Sequence, residues 1–389
     1  MERKRLCFVV QRYGTEINGG AEDYTRTYAE KMSDKFDITV LTSTALDYNL
    51  WENHYPAGES VVNGVKVIRF PVEKNRDRHF PEMSERIYSD PSHTTADAYD
   101  WVEAQGPYCP ALPLYAREHK DDFDFFLLFT YLYYPTVMTM REVADKAILV
   151  PFCHDEPPVY LKCYDEVFSS ASKIIFNTEE ERDFVYRRFY GTDKKPSVLT
   201  GIGLDTPDAS EISDMREEFG LKKPYILYMG RIDESKGCHE LFAWFLRYKK
   251  ETRSDIQLVL TGKEVMKVPD SDDIISLGFV SDEEKYSVLK YCDALVLPSH
   301  FESLSIVVLE AFRLRKPVLV SGQCAVLRGH CRKSNAGLYF TNAIDFEECL
   351  RLLENEPALR EGMGKNGEKY VNANYRWDVI MNKINDFLA

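Results

Sequence analysis

The stretch Tyr225-Ile-Leu-Tyr-Met-Gly230-Arg231-Ile-Asp-Glu-Ser-Lys236-Gly237 sets the reading of the whole chain. Five consecutive apolar and aromatic residues suit a strand buried on both faces. A glycine loop with two cations follows, and His239–Tyr248 then has the periodicity of a helix. Strand, loop and helix in that order form half of a parallel βαβ unit. The alternation continues in both directions. Upstream, strands are expected at Leu6–Gln11, Ile38–Thr42, Val65–Phe70, Phe125–Phe129, Ala147–Phe152 and Lys173–Asn177. Downstream they recur at Gln257–Thr261, Ile274–Leu277, Ala294–Pro298, Pro317–Ser321 and Gly337–Phe340. Helical patterns stand between them at Ala21–Met32, Glu179–Tyr190, Asp282–Tyr291 and Ser305–Leu314.

The fold class is therefore α/β, with two Rossmann-like doubly wound domains, and 389 residues suit two cores of about 200 residues each. Two glycines and a proline in Thr200-Gly-Ile-Gly-Leu-Asp-Thr-Pro207 mark the boundary. The expected domains are 1–203 and 204–375. The tail from Tyr375 to Leu388 has apolar residues at helical spacing, so one face must be buried. Residues 71–120 are rich in Pro, His and Tyr with few clean periods, and read as an irregular functional insertion or as two short helices.

A net charge of −14 excludes the basic footprint that nucleic-acid binding needs. Residues 1–200 hold 24 basic and 33 acidic side chains, so neither half offers a strong electrostatic membrane anchor. The apolar run after Met1-Glu-Arg-Lys-Arg5 is too short for a signal sequence, and no run approaches the roughly 18 apolar residues of a membrane span. A cytoplasmic protein is expected, touching the inner face of a membrane at most peripherally. Nine cysteines without C-x-x-C spacing read as reduced, buried thiols. Asp270-Ser-Asp272-Asp273 and Asp121-Asp122-Phe-Asp124 lie in polar stretches and read as solvated carboxylates, so no metal site is expected.

Ligands of open α/β sheets bind beyond the carboxyl ends of the strands, and two such sheets facing each other would make that edge a cleft. The motifs sit just after strands. After the first comes Tyr13-Gly14-Thr-Glu-Ile-Asn-Gly19-Gly20-Ala-Glu22, where paired glycines and a helix amino end suit an anion or simply a tight turn. Arg231 and Lys236, five residues apart, suit a diphosphate whose charge grows on the leaving side, or are solvated cations beside turns. In Ser299-His-Phe-Glu302-Ser303-Leu304-Ser305-Ile-Val-Val-Leu-Glu310-Ala311 two glutamates stand eight positions apart, one before a helix and one within it. A glutamate among Ile306, Val307, Val308 and Leu309 wants a partner such as ribose hydroxyls, unless it lies on a wet helix face.

The order Gly-Arg-x-x-x-x-Lys-Gly, Glu-x7-Glu, Lys-Pro-Val-Leu-Val resembles family 4 of the retaining glycosyltransferases with the GT-B fold. The resemblance is strongest over 225–342 and weakest over 71–120. It implies a hexosyl transfer, with retention, from a nucleotide diphosphate sugar to a glycan or lipid-linked acceptor, without metal or other cofactor, in polysaccharide or lipid-linked oligosaccharide assembly. It also implies the roles. Arg231 and Lys236 would hold the donor diphosphate, Glu310 the ribose, and Glu302 with the backbone of Ser303, Leu304 and Ser305 the transferred sugar. The nucleobase would lie near Gly278-Phe279-Val280, His154 near sugar and acceptor, and Gly19 and Gly20 would meet diphosphate or acceptor. Helix 376–389 would cross back onto the first domain. His154 has a plainer reading as a hydrogen-bonded histidine at a strand end, and His330 as a structural or surface residue.

Two departures stand out. Arg315 replaces the glycine that commonly ends the helix before Lys-Pro-Val, and Ser321-Gly322-Gln323-Cys324-Ala325-Val326 lacks the second glycine and the carboxylate. The nearby Arg328, His330 and Arg332 would suit an acidic sugar, but read more simply as a solvated basic turn. Two rival functions remain: a nucleotide-sugar epimerase of the same architecture, and a non-catalytic sugar-nucleotide-binding subunit.

Overall fold

The computed structural model describes residues 3–17 and 19–389; Met1 and Glu2 of the charged lead-in and Asn18 of the glycine loop lie outside them. The chain divides into two compact units, residues up to Thr200 with Lys383–Ala389, and Gly201–Asn382.

The first unit holds β1 (Arg5–Val9), β2 (Asp37–Ser43), β3 (Gly58–Val62), β4 (Val65–Phe70), β5 (Phe125–Phe129), β6 (Ala147–Val150), β7 (Lys173–Phe176) and β8 (Ser197–Leu199). They form one sheet in the order β3-β4-β2-β1-β5-β6-β7-β8. Every pair is parallel except β3 with β4, a hairpin at the edge. The central strands are buried beyond the first residue of β1 and β5, as continuous apolar runs require. β3 escapes sequence reading because its pattern is almost wholly exposed.

Residues 71–120 fold into three helices, Phe80–Ser89, Thr95–Gln105 and Ala111–Glu118. Thr94 and Asp97 form a capping box at the second of them. Trp101, Val102 and Leu112 are buried in the core cluster of the unit, so the segment is a packed layer. Prolines at 81, 110 and 113 obscure its periodicity. The last turns of the helix Trp377–Leu388 belong to this unit, where Lys173 donates to the Phe387 carbonyl at 2.9 Å.

The second unit holds β9 (Tyr225–Met229), β10 (Gln257–Thr261), β11 (Ile274–Ser276), β12 (Ala294–Leu297), β13 (Val318–Ser321) and β14 (Gly337–Phe340). The order is β11-β10-β9-β12-β13-β14, all parallel. In each sheet the chain runs outward to one edge and then returns beside its starting strand. That places switch points between β1 and β5 and between β9 and β12, where open α/β sheets bind ligands. Among the described residues no helix is long and apolar enough to cross a membrane, and no group of three candidate metal ligands occurs. All nine cysteines are free thiols, eight of them buried.

The helix Ile306–Arg313 ends in the left-handed manner without glycine. Arg315 itself adopts φ 58°, and Lys316 N–H bonds back to Ala311 O at 2.8 Å. A glycine would hold that position without the Cβ crowding of an L residue. The side chain contributes only an exposed ion pair with Glu368. Arg315→Gly should therefore raise stability by about 0.5–1 kcal/mol, read as a higher urea midpoint; an unchanged or lower midpoint would count against the strain.

Candidate functional site

The second switch point gathers the residues of the motifs. Beyond β9, Gly230 is followed by Arg231, whose Nε lies 3.1 Å from Asp233 Oδ2. Asp233 also accepts from Ser235 N–H at 2.8 Å, which caps the short turn Glu234–Lys236. Burial works against ionising Asp233, but those hydrogen bonds with the charges of Arg231 and Lys236 hold its carboxyl below the usual range. Gly237 has φ 76°, and a Cβ there would lie 2.7 Å from Pro298 O. The loop after β9 thus rests on the end of β12, and Lys236 Nζ meets Glu302 Oε1 at 2.8 Å. The two residues stand 66 positions apart in sequence, so no local motif shows the pair.

Glu310 is more enclosed, with its side chain 7% exposed. One oxygen accepts from Lys285 Nζ at 2.8 Å and Tyr286 OH at 3.0 Å. Burial is the largest single influence and would lower the Lys285 pKa, but the charge and hydrogen bond of Glu310 together with Tyr286 and Asp282 outweigh it, and the net shift is upward. Burial followed by Glu310 pushes the Tyr286 phenol up to about 12. Sequence reading missed both partners; the signal was two polar residues one turn inside a helix that starts just after the proposed base loop. In that loop Gly278 has φ 68°, Phe279 is 74% exposed and Val280 is half-buried.

His330 is neither on the surface nor in a solvated turn. It is wholly buried on the helix Ala325–Ser334, with Nε2 2.8 Å from Leu304 O and Nδ1 3.2 Å from Tyr370 OH. It therefore anchors the carbonyl that precedes Ser305. Burial lowers its pKa to about 4, so the ring is neutral. Arg328 is likewise committed, donating to Gly322 O at 2.6 Å. Cys324 lies in the segment that lacks the carboxylate; burial and then the nearby Glu302 charge raise its thiol pKa.

In the first unit Gly19 is extended at φ −169°, which any residue adopts. What it supplies is room, because a Cβ would lie 2.4 Å from Glu22 Oε2. Glu22 is bound by the buried Arg12 at 2.5 Å, a cation that the sequence pattern did not single out. Gly20 is open, with nothing within 4 Å of where a Cβ would stand. Glu22 and Asp23 in the first turn already answer the positive end of this helix, which weakens its pull on an anion. His154 is a quarter exposed, 3.2 Å from Glu156 Oε1, and follows β6. Beneath it Glu181, 1% exposed, accepts from Cys153 and Asn177 N–H, both at 2.7 Å.

Residues 211–370 match the glycosyl transferases group 1 family. The second unit belongs to that family. An alpha-D-kanosaminyltransferase of Streptomyces kanamyceticus is 27% identical to this chain over 222 residues, 53% of this chain and 57% of that protein. The chain spans about half the length of the curated relatives it matches. Among solved structures, sucrose-phosphate synthase from Thermosynechococcus elongatus superposes with a TM-score of 0.70 at 16% identity, covering 99% of this chain and 98% of that one. An E. coli trehalose-6-phosphate protein bound with UDP-2-fluoro glucose gives 0.71 at 12%, covering 99% of each. The group 1 unit and the fold bear out the resemblance to GT-B glycosyltransferases of family 4.

The neutral histidine of the group 1 unit has a measurable signature. Its pKa is depressed on folding, so its stabilising effect is full above about 6.5 and is lost as pH falls through about 4. Urea midpoints should fall across that window in the native protein and fall less in His330→Gln. Parallel pH profiles would show that His330 does not titrate there.

Proposed function

We propose that this chain is a retaining glycosyltransferase that moves a hexosyl group from a nucleotide diphosphate sugar to a glycan or lipid-linked acceptor. One observation carries the reading: Lys236 and Glu302 are paired at 2.8 Å at the switch point of the group 1 unit, with Arg231 on the same loop. The neighbour bound with UDP-2-fluoro glucose supports a nucleotide sugar as donor.

Arg231 and Lys236 hold the diphosphate and answer the charge that grows as the glycosidic bond breaks, a role that metal ions fill elsewhere. When donor binds, Lys236 turns from Glu302 to phosphate. The released carboxylate accepts from hydroxyls of the transferred sugar, beside the backbone of Ser303, Leu304 and Ser305. Glu310, held by Lys285 and Tyr286 through one oxygen, keeps the other for the ribose. Val280 packs against the base. No carboxylate is assigned as nucleophile, so the acceptor attacks the face the diphosphate leaves, and a leaving-group phosphate oxygen takes its proton. On the first unit, Gly19, Gly20 and His154 serve the acceptor and transferred sugar. The acidic first turn beside Gly20 suits hydroxyls better than phosphate.

Lys236→Ala should lower kcat/KM by about 2–4 kcal/mol in activation free energy, because the contact strengthens toward the transition state. Turnover should survive a chelator; loss that added magnesium or manganese restores would reassign the neutralising role to metal. Proton NMR of the freshly formed glycoside should show an α-linked product from an α-linked donor. A β-linked product would overturn retention and make Asp155, now hydrogen-bonded by Tyr160 at 2.6 Å, the general base.

A further inference from the structure

The loop between β12 and the helix Ile306–Arg313 bears two costs that the protein alone does not recover. Ser305 sits at φ 64° and ψ 76°, in the left-handed region where a Cβ crowds the backbone. Its hydroxyl is buried, with 7% of the residue exposed, and has no hydrogen-bond partner. A serine preceding a helix ordinarily caps it, yet no side-chain cap bond forms here. Ser299, fully buried in the same loop, also leaves its hydroxyl unpaired, so the shortfall belongs to the loop and not to one rotamer. Glycine at 305 would remove strain and unmet hydroxyl together.

A serine kept at that position must be repaid in another state, and the bound state is the one this loop serves. The amino end of the helix Ile306–Arg313 carries partial positive charge with no acidic residue in its first turn, unlike the helix after Gly19. Three residues before Ser305, Glu302 holds Lys236. An anionic oxygen is what this surrounding would admit. We propose that the Ser305 hydroxyl donates a hydrogen bond to a phosphate oxygen of the bound nucleoside diphosphate, the part shared by donor and product. The proposal rests on the nucleotide-sugar reading above and adds a side-chain contact to it.

The test pairs binding with stability. Calorimetric titration of the native protein with UDP, GDP, ADP and dTDP identifies the tightest of the four, which is then titrated into Ser305→Gly, Ser305→Ala and, as a control outside the loop, Arg315→Gly. Ser305→Gly should melt roughly 2 °C higher yet bind about tenfold more weakly. Ser305→Ala should bind as weakly but gain less in melting, because it removes the unmet hydroxyl and keeps the left-handed strain. Arg315→Gly should gain stability at native affinity. Native affinity in either Ser305 variant overturns the contact, and a lower melting point in Ser305→Gly overturns the strain behind it. If no nucleoside diphosphate binds the native protein, the nucleotide-sugar reading itself fails, and this contact with it.

Discussion

A Cβ on Gly262 would stand 2.1 Å from the Gly230 carbonyl oxygen, so the ends of β9 and β10 meet through bare backbone. Gly230 N–H donates to Thr261 O, and Gly262 N–H to Gly278 O at 2.7 Å, which extends the contact across three adjacent strand ends. On the other side Gly237 leans on Pro298 O. The loop carrying Arg231 and Lys236 is clamped between these two approaches, and its cations point where they do because no side chain intervenes. Any larger residue at 262 or 237 would push the loop off the sheet and separate Lys236 from Glu302.

The charges of the site are stored as pairs. Glu302 and Glu310 each hold a lysine at 2.8 Å, but their settings differ. Glu302 is 17% exposed and its lysine 33%, so this pair exchanges partners at modest cost. The Lys285–Glu310 pair is more enclosed and shares a phenol, and breaking it would strand a buried charge. A rigid carboxylate suits a constant part of the ligand such as ribose, and an exchangeable one suits the part that reacts.

Sequence periodicity was sufficient wherever strands are buried on both faces, as at Tyr225–Met229 and Phe125–Phe129. It failed at β3, whose side chains face water, and at 71–120, where prolines crowd the starts of short helices that tertiary packing sustains. The linear motifs named Arg231, Lys236, Glu302 and Glu310, because spacing along one loop or helix is local. Lys285, Tyr286, Arg12 and Gly262 matter through contacts across the fold, which spacing does not encode. His330 stayed open between a structural and a surface reading for a related reason: basic neighbours in sequence suggest solvent, while its helix turns it into the core against Leu304 O.

Glu181 in the first unit is the counterpart of His330 in the second. Burial, opposed by hydrogen bonds from Asn177 and Cys153, raises its carboxyl from 4.5 to about 7. A raised acid favours the fold most fully below about 4.5 and withdraws that support as pH climbs through about 7. The buried imidazole does the reverse, withdrawing support as the medium acidifies. One half of the chain is thereby penalised by alkali and the other by acid. Acidic solution therefore weighs on the second unit through His330, and neutral to alkaline solution on the first through Glu181.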